Sequence, residues 1–75
     1  MGNKKDKMLL PGWVQVERSI MKAWHYHQDG AVDLSLTWAR RAWKEADTPF
    51  EALAVVHDSR LAVILNDVRN RLETP

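Results

Sequence analysis

Cysteine is absent from the 75 residues. That excludes a disulfide framework and any Cys-ligated zinc site as the source of stability. Glycine is scarce, three residues in all, each before residue 31. A glycine-rich phosphate loop and a Gly-x-Ser-x-Gly nucleophile elbow are both missing. The longest unbroken apolar runs, Ala52–Val56 and Leu61–Leu65, are five residues each, whereas a membrane span needs about 20. A charged n-region followed by an apolar stretch and a small-residue cleavage site is also missing, so no secretory leader is expected. Neither sign of charge dominates: eleven basic residues face ten acidic ones, for a net charge of +1. A charged disordered tail is thereby excluded, and a strongly basic nucleic-acid binder is disfavoured.

What is present is a chain that is 45% hydrophobic and 28% charged, the balance of one small cytoplasmic domain. Residues 1–10, with Lys4, Lys5 and Lys7 crowded together without helical period, are expected to form a flexible basic arm. Met1-Gly2 suggests N-myristoylation, but Asp6 stands where that motif needs Ser or Thr. Residues 11–75 are expected to form a single helical domain.

After Pro11-Gly12, the residues Trp13, Val16, Ile20, Trp24 and His27 recur every three or four positions. That spacing predicts a helix from Trp13 to Gln28, with Gly30 supplying the left-handed C-terminal cap. A second helix is expected from Val32 or Asp33 to Ala46, with Asp33 capping its first turn. Its stripe is Val32, Leu36, Ala39, Trp43 and Ala46, filled out by Ala31, Ser35 and Ala42. Arg41 and Glu45 stand four apart and can pair across solvent.

Thr48-Pro49-Phe50-Glu51 is the sharpest local signal. Thr48 can accept from the amide of Glu51, Glu51 can reach back to the amide of Thr48, and proline suits the first helical position. A third helix from here to Leu72 would be about 36 Å long, against about 24 Å and 20 Å for the first two. The expected state is one unbroken helix, with His57-Asp58-Ser59 as the place where Asp58 or Ser59 could cap a new one. Its main face would hold Phe50, Leu53, Ala54, His57, Leu61, Ile64, Leu65, Val68 and Leu72. Ala52, Val56 and Val63 share its back with Ser59, Asn66 and Asn70. That second apolar stripe and the length mismatch together suggest a homodimer, a common support for small unstapled domains.

Candidate chemistry is thin. His25 and His27 are two apart and point about 200° from each other on a helix, so they cannot chelate one ion. His27 and His57 read as interior histidines, His25 as an exposed one. His57-Asp58-Ser59 spells a hydrolase triad, but adjacent helical residues fan outward and cannot relay a proton. Asp58 and Asp67 are too far apart in sequence and too close to the polar flank for acid–base work. No catalytic residue, metal ligand or cofactor is expected, so the chain reads as a non-enzyme.

Tryptophan and arginine point to protein binding, since both are enriched at hot spots. Trp24 and Trp43 read as core, while Trp13 and Trp38 are open between core and interface. The fold expected is all-α, a small three-helix bundle with a long C-terminal helix, dimeric on burial grounds. The function expected is a small regulatory or adaptor protein that binds another protein through an aromatic and apolar helical face. Leu34, Trp38 and Arg41 are the candidate partner-binding residues, and Val56, Ser59 and Val63 the candidate self-association residues. The alternative is a helix-turn-helix nucleic-acid-binding regulator, formed if the chain breaks near Ser59 and using Arg60, Arg69 and Arg71 with the lysine arm.

Overall fold

The computed structural model describes residues 12–73; the basic arm lies outside the described residues. The chain is all-helical, with four helices among the described residues: α1 (Gly12–Gln28), α2 (Val32–Glu45), α3 (Pro49–Val56) and α4 (Ser59–Glu73). None is long and apolar enough to cross a membrane.

The α1–α2 hairpin is the framework. Gly30 turns the chain with φ 81°, a backbone conformation that costs glycine little. Its amide bonds the carbonyl of His27, and the Ala31 amide bonds that of Tyr26. The two helices then meet along most of their length. Ser19 and Ala23 of α1 and Ser35, Ala39 and Ala42 of α2 are buried between them. Such short side chains let two backbones approach closely and leave no room for a ring. Trp43, expected in the core, is therefore 45% exposed. Asp33 does not cap α2: Ala31 holds the N-cap position without a side-chain bond. Asp33 instead contributes its negative charge in the first turn, near the positive end of the helix dipole.

The start of α3 follows its sequence signal in part. Thr48 Oγ1 accepts from the Glu51 amide at 3.1 Å, and Pro49 opens the helix. The return bond shifts by one residue: Glu51 Oε1 accepts from the amide of Asp47 at 2.8 Å.

The expected long helix is broken. Helix α3 ends at Val56, with His57 as its C-cap (φ −97°, ψ 6°). The Asp58 carboxylate accepts from the Arg60 amide at 2.8 Å and the Leu61 amide at 3.1 Å, satisfying donors at the start of α4. The break also removes the length mismatch that argued for a dimer, because two short helices can each lie against the hairpin. It rotates the expected face as well. Val55, Leu61 and Ile64 are buried, whereas Phe50, Leu53, Leu65 and Leu72 are exposed. His57, expected inside, is exposed at the junction.

The core that results is small. Its buried apolar members are Val16, Ile20, Ala23, Ala39, Ala42, Val55, Leu61 and Ile64, with Trp24, Trp38, Ala46 and Val68 packed at its margin. No tryptophan or phenylalanine among the described residues is fully buried.

Candidate functional site

Leu34, Trp38 and Arg41 fall on one face of α2, because spacings of four and three keep side chains within a narrow arc. Leu34 is exposed and Trp38 is half-buried. The Trp38 ring carries two cations: Lys22 Nζ of α1 and the Arg41 guanidinium each lie 4.9 Å from its centroid, within the range of cation–π attraction. Around this ring opens a cleft of about 430 Å³ between α1 and α2, lined also by Gln15, Arg18, Ser19 and Glu45.

The one carboxylate in the cleft is already engaged. Glu45 accepts from Ser19 Oγ at 2.5 Å and from Arg41 Nε at 3.3 Å. Among the described residues, Arg18 has no carboxylate within salt-bridge distance, and Arg40 and Lys44 extend the same cationic character along α2 beside a second hollow. A chain with almost no net charge thus concentrates positive charge on one side of its hairpin. Arg41 was legible from sequence; Lys22 and Arg18, which wall the cleft from α1, were not assigned to this site. Their signal was present in the i, i+4 spacing of Arg18 and Lys22, but only the α1–α2 register brings them beside Trp38.

The arginines of α4 are placed differently. Arg60 forms a two-ended clamp: Nη1 and Nη2 each reach Glu17 of α1 at 2.9 Å, and Nη2 reaches Asp58 at 2.7 Å. Paired acceptors on both sides hold its proton more tightly, raising its pKa further above its ordinary value, with Glu17 the larger cause. Burial alone would push the Asp58 carboxyl up; the bonds from the Arg60 side chain and the Leu61 amide outweigh burial and hold it below the usual carboxylate value. Arg69 donates to Asn66 at 2.8 Å, and Arg71 pairs with Asp67 at 3.2 Å. All three arginines of the nucleic-acid alternative therefore have intramolecular partners.

Asp67 also meets His27 Nε2 at 3.2 Å, tying α4 to α1. The His27 ring stacks on Trp24 at 5.5 Å, and its Nδ1 is buried without a partner. His25 points to solvent. Among the described residues, no three His, Cys, Asp or Glu side chains gather to hold a metal ion.

Val56, Ser59 and Val63 are all exposed, but the break divides them between two helices. An apolar feature between α1 and α3 was not foreseen. Trp13 and Phe50 wall a cleft of about 260 Å³ whose floor is Val16, Ile20 and Ala54 and whose rim includes Glu17, Glu51 and Asp58. Its signal was the composition of α3, in which Glu51 is the only charged residue of Pro49–Val56. A helix apolar on all sides is normally buried on all sides. Comparison with known proteins finds no matching family model, no matching curated protein and no matching solved structure.

Proposed function

We propose that the chain is a small, non-catalytic regulatory or adaptor protein of the cytoplasm that acts by binding other proteins and that self-associates. The partner face is the α2 stripe Leu34, Trp38 and Arg41, widened by Arg18 and Lys22 of α1. The observation that carries this reading is the half-buried Trp38 ring held between Lys22 and Arg41 at the mouth of an open cleft. A pre-positioned indole flanked by cations loses little rotamer freedom on binding, which is what makes such residues hot spots. The cationic rim selects partners that carry carboxylates beside an apolar anchor.

The test is capture by the tagged chain from lysate of its native cell, with and without nuclease and at low and high salt, followed by the Trp38→Ala variant. A protein that is retained by the parent chain and released from a folded Trp38→Ala variant supports the reading. Retention undiminished by Trp38→Ala removes Trp38 from the site.

A second reading, nucleic-acid binding, is favoured by one observation: α3 and α4 are joined by only His57 and Asp58, the outline of a helix-turn-helix. Against it, Arg60 is clamped by two carboxylates, and the cations of the Trp38 cleft lie on the α2 side of α1. Nucleic acid that elutes with the chain and is lost steeply with salt would favour this second reading.

A further inference from the structure

We propose that the outer face of α3 is a two-fold interface between copies of this chain, in which Leu53 and Val56 of each copy enter the Trp13–Phe50 cleft of the other. The proposal deepens the self-association part of the reading above and is independent of the Trp38 face.

Three observations support it. The first is an inversion of size. Phe50 is 77% exposed, Trp13 62% and Leu53 57%, while five of the seven buried hairpin residues are alanine or serine. Single exposed apolar residues are ordinary; a contiguous patch of the largest ones marks an interaction site.

The second is area. With about 200 Å² for a phenylalanine and about 250 Å² for a tryptophan, the exposed parts of Phe50 and Trp13 amount to roughly 300 Å². Leu53, Val56 and Ala54 bring the patch to roughly 500 Å². A standard interface buries about 800 Å² on each partner, and a homodimer interface is about 65% apolar. The patch therefore supplies about the apolar area that one side of a stable dimer needs.

The third is shape. A two-fold contact needs a projection and a hollow on the same patch, because each copy must offer both. On α3, Ala54 lines the cleft toward α1, while Leu53 and Val56 stand on the other side of Phe50. An axis near Phe50 brings the projecting pair of one copy over the hollow of the other. Of the three carboxylates on the cleft rim, Glu17 and Asp58 are already paired with Arg60, which leaves Glu51 as the one charge of α3 that a second copy must accommodate. The occupant is a second copy because the same patch offers both the projecting pair and the hollow that a two-fold contact needs.

Sedimentation equilibrium on the full chain, loaded from about 1 to about 300 μM, covers the weak end of the μM-to-pM range of interfaces of this size, the end suited to a patch of about minimum area. The expected result is a mass rising from one chain to two and no further. Phe50→Glu should weaken association more than about thirtyfold, the effect of losing one hot spot, while Trp38→Ala should leave it unchanged. A mass of one chain at the highest loading overturns the proposal, as does growth beyond two or a Phe50→Glu variant that associates like the parent. If Phe50→Glu loses its helical circular dichroism, cross-linking decides instead. The chain has no cysteine, so Leu53→Cys gives a single thiol for a short bis-maleimide. Covalent dimers from Leu53→Cys and few from Leu34→Cys support the α3 interface; equal yields overturn it. Loss of association with partner capture at Trp38 intact removes only this proposal. Loss of capture with association intact removes only the Trp38 reading.

Discussion

Along the α1–α2 hairpin the buried positions are Val16, Ser19, Ile20, Ala23, Ser35, Ala39 and Ala42, five of the seven being Ala or Ser; on α3 and α4 they are Val55, Leu61 and Ile64. The hairpin gains its stability from many close backbone-level contacts between two helices of 17 and 14 residues. The C-terminal pair touches the hairpin over short stretches and relies on a few branched side chains, on the Arg60–Glu17 ion pair and on the His27–Asp67 contact. The difference separates two sources of order. The hairpin is held by close contacts between its two helices, whereas α3 buries a single residue, Val55, and leaves Phe50, Leu53 and Val56 exposed.

This contrast can be broken most forcefully at the centre. Ile64 is fully buried where α4 meets the core, so Ile64→Ala should cost about 3 kcal/mol and lower the melting temperature by more than about 12 °C. A small change in a thermal melt would mean that α4 is not seated on the hairpin as described. The next effect is overpacking. Ala42→Leu, within the close hairpin contact, should cost about 2 kcal/mol, while the same change at exposed Ala62 should stay within about 0.5 kcal/mol. Equal losses in denaturant titrations would erase the distinction between tight and loose regions.

The junction gives a smaller, pH-dependent effect. Asp58 is held below its ordinary pKa. Its contribution to stability is therefore fully present above the unfolded value of about 4 and is lost as pH falls through the lower folded value. Asp58→Asn keeps a capping oxygen but removes that charge. The variant should be less stable at neutral pH by about 1 kcal/mol, and its stability should fall less steeply than the parent's as pH drops below about 4. Parallel acid-melting curves would show that the Arg60 contact contributes nothing. Smallest of all, Leu53→Ser at a concentration where the chain is single should change stability by less than about 0.5 kcal/mol. A large loss would place Leu53 in the core.

Helical type and hairpin limits were legible because two independent signals coincided there: a 3.6-residue apolar period and a glycine at the only turn that needs one. The start of α3 was legible from Thr48 and Pro49 alone. The end of α3 was not, although Asp58 and Ser59 were visible as capping residues. A single Asp can cap a new helix or ride along an old one, and the choice is made by tertiary packing. Here Glu17 and Arg60, 43 positions apart, help to settle it. Which face of α3 turns inward was hidden for the same reason. A helix apolar all round carries no periodicity to read. Of the candidate site, the Leu34–Trp38–Arg41 stripe could be read from one helix. The Trp38 cleft and the Trp13–Phe50 cleft could not, since each is built by two helices that pair only in the fold.

The four indoles stand in four different surroundings: Trp13 in water at a cleft edge, Trp24 against an imidazole, Trp38 beneath two cations, Trp43 on an outer face. Indole emission moves to shorter wavelength as water leaves the ring. The chain therefore carries its own optical readout. Dilution should report on Trp13. A ligand at the α1–α2 cleft should report on Trp38, so two events at two places can be followed in one cuvette without a label.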